Sequence, residues 1–182
     1  QETTGIVATF QSLLQIAQIE GGSPKNRFQP VDLGALAATF VEVYEPSADE
    51  SNHRIESDLP GQGTAIVSGE KGLLGQVLAN LIENALRHTP TGSAIRVAVQ
   101  ASPSRIELTV ADNGPGIPFE ERENVLRRLY RLERSRTTSG NGLGLSLVSV
   151  IADLHDAKLE LGSNNPGLLV KLTFPKTSNA PG

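Results

Sequence analysis

The 182-residue chain has no cysteine, no methionine and no tryptophan, and only 4% of its residues are aromatic. Without cysteine there is no disulfide and no thiolate metal site, a composition that fits a reducing cytoplasm. With two tyrosines and five phenylalanines, any core must be mostly aliphatic. Methionine is missing even at position 1, which predicts a processed chain or a segment of something longer. No apolar run reaches the length needed to cross a bilayer, and no secretory signal opens the chain. Positive charge is not in excess either. Sixteen Lys and Arg against twenty Asp and Glu give a net charge of −4, which argues against a globally basic surface for nucleic acid.

The length suits one domain with an appendage, and it is enough to bury a proper core. Residues 4–20 carry Ile6, Phe10, Leu13 and Ala17 at helical spacing, with Val7 and Leu14 beside them. Gly21-Gly22-Ser23-Pro24 then stops that helix. It can pack on its own domain or serve as a partner helix in a bundle, and the breaker favours the second. Asp32 can cap a helix running to about Tyr44. Strand-like stretches follow near 53–59 and 64–68, then a long helix over about 70–88. Strands are expected at 95–100 and 105–111, a loop-rich stretch at 112–141, a helix at 143–155, and closing strands at 158–161 and 168–174. Helices alternating with hairpins predict an α+β sandwich, a mixed sheet with helices on one face.

Three stretches carry chemistry. In NLIENALRHTP (80–90), Asn80, Asn84 and Arg87 fall within roughly 60° on a helix, whereas Leu74, Val77, Leu81 and Ala85 lie on another arc. An amide oxygen suits a hard cation such as Mg²⁺ that leans on phosphates for its other ligands, and a guanidinium can grip phosphate. In DNGPGIP (112–118), a carboxylate at a strand end can accept from an exocyclic amine, and the glycines permit close backbone approach. GNGLGL (140–145) opens a helix, where free N–H groups favour an anion. Between the last two lie Arg127, Arg128, Arg131, Arg134 and Arg136, readable as a phosphate-facing lid. Taken singly, each stretch has a plainer reading: a solvated helix face, a surface turn or a charged loop.

Their order is more specific than any one of them. It resembles the ATP-binding domain of sensor histidine kinases, which shares its nucleotide fold with DNA gyrase, mismatch-repair and heat-shock chaperone ATPases. NLIENALRHTP is similar to the family's asparagine box, DNGPGIP to its first glycine box and GNGLGLSLV to its second. VLRRLYRLERSR (125–136) is similar to the phenylalanine box, with Leu126 and Leu129 where phenylalanines are usual. The resemblance spans about 28–175. Residues 4–22, with LLQIAQIEGG, resemble the second helix of the dimerisation and phosphoacceptor hairpin.

The resemblance implies a two-layer α/β sandwich of the Bergerat type preceded by one isolated helix. Its expected parts are a hairpin remnant at 1–22, a catalytic domain at 23–176 and a flexible tail at 177–182. It implies ATP and Mg²⁺ as ligands, with Asn84 on the metal and Asn80 supporting it. Arg87 and His88 would lie along the phosphates or ribose. Asp112 would accept from the adenine amine, and Gly114, Gly116 and Ile117 would shape the base pocket. Tyr130, Arg131 and Arg136 would belong to the lid. Gly140, Asn141, Gly142, Leu143 and Gly144 would cradle phosphate.

Two positions depart from the family. Leu168 follows the glycine of the last strand where threonine is common, which puts a water-linked adenine contact in doubt. His155-Asp156-Ala157 stands where His-Gly-Gly is usual, so that turn is expected to differ, with His155 a packed or capping residue.

Position 80 separates reaction classes. Hydrolysing relatives place a glutamate four residues before the metal-binding asparagine, as a base for a poor nucleophile. Asn80 cannot act as a base, whereas a neutral imidazole already carries its lone pair. A histidine is therefore the expected acceptor, and Glu83, off the asparagine stripe, is read as flanking. His53, His88 and His155 lack the acceptor's setting, so that histidine is expected on a helix outside this chain.

The implied function is a protein histidine kinase in two-component signalling, passing phosphate onward to a response regulator. The full-length protein is expected to be a homodimer, with this part cytoplasmic; whether the parent is anchored in the inner membrane is left open by these residues. Two alternatives stand: a degenerate nucleotide-binding signalling module with little transfer, or, less favoured by Asn80, an ATP hydrolase.

Overall fold

The computed structural model describes residues 14–19, 21–22, 24–127 and 143–176. Five strands form the main sheet: β2 (Arg54–Asp58), β4 (Ala94–Ala101), β5 (Arg105–Asp112), β6 (Lys158–Ser163) and β7 (Leu168–Pro175). Their order is β2-β4-β5-β7-β6. β2 runs parallel to β4, and the remaining pairs are antiparallel. The sheet is therefore mixed, as expected. β1 (Gln29–Asp32) and β3 (Ile66–Gly69) make a separate antiparallel ribbon, with Val31 opposite Val67.

Alternation decides which face is covered. On β7, Leu168, Val170, Leu172 and Phe174 are buried, and on β5 so are Ile106, Leu108 and Val110. The residues between them, such as Thr109, Lys171 and Thr173, are half-exposed. The helices share the core of the apolar face: α1 (Leu33–Glu50), α2 (Lys71–His88) and α3 (Gly144–Leu154). This is the two-layer α+β sandwich that the pattern predicts. Its core is aliphatic apart from Phe174 and the partly buried Phe40 and Tyr44 at its margin.

Side-chain caps start the first two helices. Asp32 caps α1 by accepting from the Ala35 N–H at 3.1 Å, while its other oxygen accepts from Gly63 N–H at 2.6 Å. Glu70 caps α2 through the Leu73 N–H at 2.7 Å. Along α2, Leu74, Val77, Leu78, Leu81, Ile82 and Ala85 are buried at three- and four-residue spacing. Thr89, whose N–H bonds Ala85 O at 3.2 Å, and then Pro90 end it.

One boundary differs from expectation. α1 passes Tyr44 and continues through Pro46 to Glu50. A proline lacks one helical N–H, but the following turn is anchored by buried Ala48. His53 N–H bonds Ala48 O at 2.7 Å, and the Ser51 hydroxyl bonds Ser47 O at 2.7 Å. Tertiary anchoring outweighs the local break.

Residues 14–19 are helical and dock through Ile16 and Ile19, which join the domain core. Their side-chain link is a reciprocal amide pair between Gln15 and Gln76 of α2. Of the stripe counted from the sequence, Leu14 and Ala17 are exposed, and Ile6, Val7, Phe10 and Leu13 lie outside the described residues. No helix among the described residues is long and apolar enough to cross a membrane.

Candidate nucleotide site

The polar arc of α2 lies as its periodicity predicts. Asn80 and Asn84 are half-buried, Arg87 is exposed and His88 is half-buried. Asn80 donates through Nδ2 to Gln76 O at 2.9 Å. Its Oδ1 faces the start of α3, where a Cβ built on Gly144 would stand 3.5 Å away. Among the described residues no side chain caps the α3 N-terminus, which leaves its first-turn N–H groups without a side-chain acceptor beside Asn80. Leu143, just before them, is buried. It therefore belongs to the core rather than to a polar cradle, and contributes backbone only.

The other end of the arc meets the first glycine loop. Thr89 presses its methyl on Gly114, where an added Cβ would lie 2.5 Å from Thr89 Cγ2. Asp112 at the end of β5 is buried, 6% exposed. Its Oδ1 accepts from Gly114 N–H at 2.9 Å and from Leu168 N–H at 3.2 Å. Its Oδ2 has no hydrogen bond among the described residues, so this anchored carboxylate keeps one oxygen for a ligand donor. Gly116 adopts φ 65° and approaches Gly167 so closely that a Cβ would sit 2.7 Å from its carbonyl oxygen. Ile117 packs against the core edge, and its carbonyl accepts from Arg122 Nε at 3.3 Å.

α2 thus passes between two features, the α3 start at Asn80 and the glycine loop at Thr89. Nine residues of helix separate them, roughly 13 Å at 1.5 Å per residue. Asn84 lies midway, and no hydrogen bond among the described residues ties its amide. No group of three or more His, Cys, Asp or Glu among the described residues could hold a metal. A lone amide oxygen fits Mg²⁺, which keeps waters and leans on phosphates.

The flanking residues are accounted for. Glu83 lies off the asparagine stripe, exposed, and accepts from the Tyr44 hydroxyl at 2.5 Å. Burial first, and then that carboxylate, push the Tyr44 pKa above its ordinary value of 10. His53 is buried between Ser51 Oγ and Thr89 Oγ1, each at 3.0 Å from a ring nitrogen. His155 is also buried, so it is packed as the sequence suggests. Asp156, just after it, takes the left-handed φ of 54° that glycine ordinarily supplies.

Tyr130, Arg131, Arg136, Gly140, Asn141 and Gly142 lie outside the described residues. Four contributors were missed from sequence: Thr89, Asn113, Asn164 and Gly167. Asn113 Oδ1 accepts from Ala94 N–H at 2.8 Å, and Asn164 Nδ2 donates to Asp112 O at 2.8 Å. Gly167, at φ 115°, leaves only 1.8 Å between a hypothetical Cβ and Asp112 O. The Asn-Asn-Pro-Gly run at 164–167 signals a turn; only the fold shows that this turn backs Asp112. Leu168 points its side chain into the core, 5% exposed, and meets the carboxylate through its backbone alone.

Residues 69–178 match the family described as Histidine kinase-, DNA gyrase B-, and HSP90-like ATPase. Over 174 residues the chain is 33% identical to the sensor protein kinase PmrB of Pseudomonas aeruginosa, covering 94% of this chain and 36% of PmrB. It is 32% identical over 167 residues to the sensor-like histidine kinase SenX3 of Mycolicibacterium smegmatis, covering 90% of this chain and 43% of SenX3. The chain therefore spans less than half the length of these curated relatives. The catalytic domain of histidine kinase ThkA shares its fold, with a TM-score of 0.72 over 82% of this chain and 97% of that domain, at 23% identity.

Proposed function

Because the chain belongs to the histidine kinase-, DNA gyrase B- and HSP90-like ATPase family, we propose that it binds Mg-ATP along α2 and presents the γ-phosphate to a histidine on a helix outside this chain. The carrying observation is the bracketing of Asn84 between the uncapped α3 start and the Asp112 loop, over a length that suits a nucleotide. The base sits at Asp112, whose Oδ2 accepts from the adenine amine. Gly114, Gly116 and Ile117 form the walls around it. Arg87 and His88 lie along the ribose and phosphates. The α3 start receives phosphate oxygens beside Asn80. Tyr130, Arg131 and Arg136 are assigned to the lid, and Gly140, Asn141, Gly142 and Gly144 to the phosphate cradle.

Asn84 is the protein ligand for Mg²⁺, which, when bound, neutralises phosphate charge. The chain's own contribution to transfer is positioning and electrostatics, as is usual for this chemistry. The acceptor imidazole nitrogen forms the new P–N bond as the bond from the γ-phosphorus to the bridging oxygen breaks, and ADP leaves. No base at position 80 is needed. Asn80 has its Nδ2 committed to Gln76 O and no carboxylate to take a proton, which supports a kinase over a hydrolase. The buried, hydrogen-bonded state of His53 and His155 supports an acceptor elsewhere. ThkA has been solved in complex with a response regulator protein, TrrA; onward transfer to a response-regulator aspartate, from a homodimeric parent, is the corresponding proposal here.

The test is calorimetric titration with Mg-ADP, comparing the wild type with Asn84→Ala and Asp112→Ala, alongside incubation with γ-labelled ATP. Binding that both substitutions abolish, with no stable label on the chain, is expected. Stable label on this chain would refute an external acceptor, and rapid steady ATP turnover would favour hydrolysis. A chain with no nucleotide affinity would be a degenerate signalling module.

A further inference from the structure

His155 follows the last residue of α3, at the end of the helix remote from Gly144, and is 4% exposed. Its Nδ1–H donates to Ile151 O at 2.7 Å, and its Nε2 accepts from the Glu70 N–H at 3.1 Å. A backbone carbonyl on one nitrogen and a backbone N–H on the other select one neutral tautomer. Phe28 stacks on the ring at 4.7 Å between centroids and 17° between planes. Gly69, the last residue of β3, lies so close that a Cβ would stand 2.7 Å from Cδ2 of the ring. Beside it, Lys25 pairs with Asp156 at 3.0 Å. One imidazole therefore joins the start of α2, the end of α3 and the segment that leads in from residues 14–19.

The same two helices pack through shared core residues and also approach at Asn80 against Gly144. α2 and α3 thus run antiparallel, clasped at one end by His155 and at the other by the proposed phosphate cradle.

We propose that His155 is a positioning residue for the nucleotide site: as a neutral imidazole it sets the alignment of α2 and α3, and its stack on Phe28 makes that alignment depend on where the preceding segment lies. This rests on the nucleotide reading above. The charged groups facing the ring are Glu70 from α2, Asp156 after α3 and Lys25 from the incoming segment. Burial is the largest influence and holds the ring below its ordinary pKa of 6.5, against the opposing pull of the Ile151 carbonyl and the two carboxylates. A protonated ring cannot accept from Glu70 N–H, so acid opens the clasp.

The experiment measures Mg-ADP dissociation constants from pH 7.5 down to the acid limit of the folded domain, for the wild type, His155→Phe and His155→Gln. Phenylalanine fills the space without hydrogen bonds, whereas the glutamine amide oxygen can accept from Glu70 N–H. At pH 7.5 we expect His155→Phe to bind about fivefold or more weakly and His155→Gln to lie closer to the wild type. As pH falls, wild-type affinity should converge on that of His155→Phe, a comparison in which the titration of the nucleotide itself cancels. By reciprocity, saturating Mg-ADP should lower the pH at which the His155 ring titrates, by about 0.7 pH unit for a fivefold effect. This is read by nitrogen NMR on the wild type and needs no variant to fold. Equal affinity of the wild type and His155→Phe, or an unmoved His155 titration, overturns the inference while leaving the nucleotide site standing. Absence of Mg-ADP binding by the wild type overturns the nucleotide reading itself.

Discussion

The backbone N–H of Leu168 donates to Oδ1 of Asp112 at 3.2 Å, so the first residue of β7 orients the carboxylate that ends β5. Gly114 N–H holds the same oxygen at 2.9 Å. The geometry predicts a separation of roles at Asp112. In Asp112→Asn the amide oxygen can keep both backbone bonds, but an NH₂ group replaces Oδ2 and faces the adenine amine donor to donor. Thermal stability should change by about 1 kcal/mol or less, while Mg-ADP affinity falls by about 2–3 kcal/mol. Calorimetry paired with thermal melts checks both halves.

Asn84 and Asn80 should behave differently although they share a stripe. Asn84→Ala removes no hydrogen bond among the described residues, so stability should stay within about 0.5 kcal/mol of the wild type. The gain in ADP affinity on adding Mg²⁺ over EDTA should disappear. Asn80→Ala loses its bond to Gln76 O, costing about 1 kcal/mol, and should retain a Mg²⁺ dependence. Equal Mg²⁺ dependence in the wild type and Asn84→Ala would remove the metal role from Asn84.

Two glycines with positive φ offer a contrast in stability. At Gly63, φ 81°, nothing stands within 4 Å of an added Cβ, so Gly63→Ala should cost only the backbone strain, about 1 kcal/mol. At Gly167, φ 115°, the Cβ would lie 1.8 Å from Asp112 O, a clash between backbones that no rotamer relieves. Gly167→Ala should lose more than about 3 kcal/mol in urea unfolding, together with nucleotide binding.

His155 makes stability depend on pH in a defined direction. Its folded pKa lies below the ordinary 6.5, so below about pH 6.5 the unfolded chain takes up the proton before the folded one does. The contribution is complete above pH 6.5. It is lost as pH falls from there through the folded pKa, after which it levels off. His155→Phe should flatten this part of the stability profile, as followed by urea midpoints between pH 7.5 and 5.

Much of the site was legible because its parts are local. The 3.6-residue period of 70–88 separates Leu74, Val77, Leu81 and Ala85 from Asn80, Asn84 and Arg87, and α2 keeps that division. The cap at Asp32 is set within three residues and appears as the sequence suggests. Harder to read were features made by chain segments far apart. β1 was hidden because Gln29 and Pro30 carry no strand signal of their own, and the strand exists by pairing with β3. α1 runs past its expected end near Tyr44, through Pro46, to a last turn anchored by buried Ala48. The helical stripe through Leu14 and Ala17 is real as a pattern, yet Ile16 and Ile19 are the residues that reach the core.

The order of asparagine helix, carboxylate turn and glycine-rich helix start is a property of the sequence alone, since each is specified by residues within a turn or two of one another. With position 80 an asparagine, the sequence also rules out a carboxylate base there, because side-chain chemistry does not depend on the fold. What only tertiary structure decided is the assembly. It placed Asn80 against Gly144, Thr89 against Gly114, and Leu168 and Gly167 against Asp112, contacts spanning tens of residues that follow from strand order and helix packing. It also turned His155 from a residue at a helix end into the junction of three segments, because a buried imidazole must satisfy both nitrogens wherever the fold supplies partners.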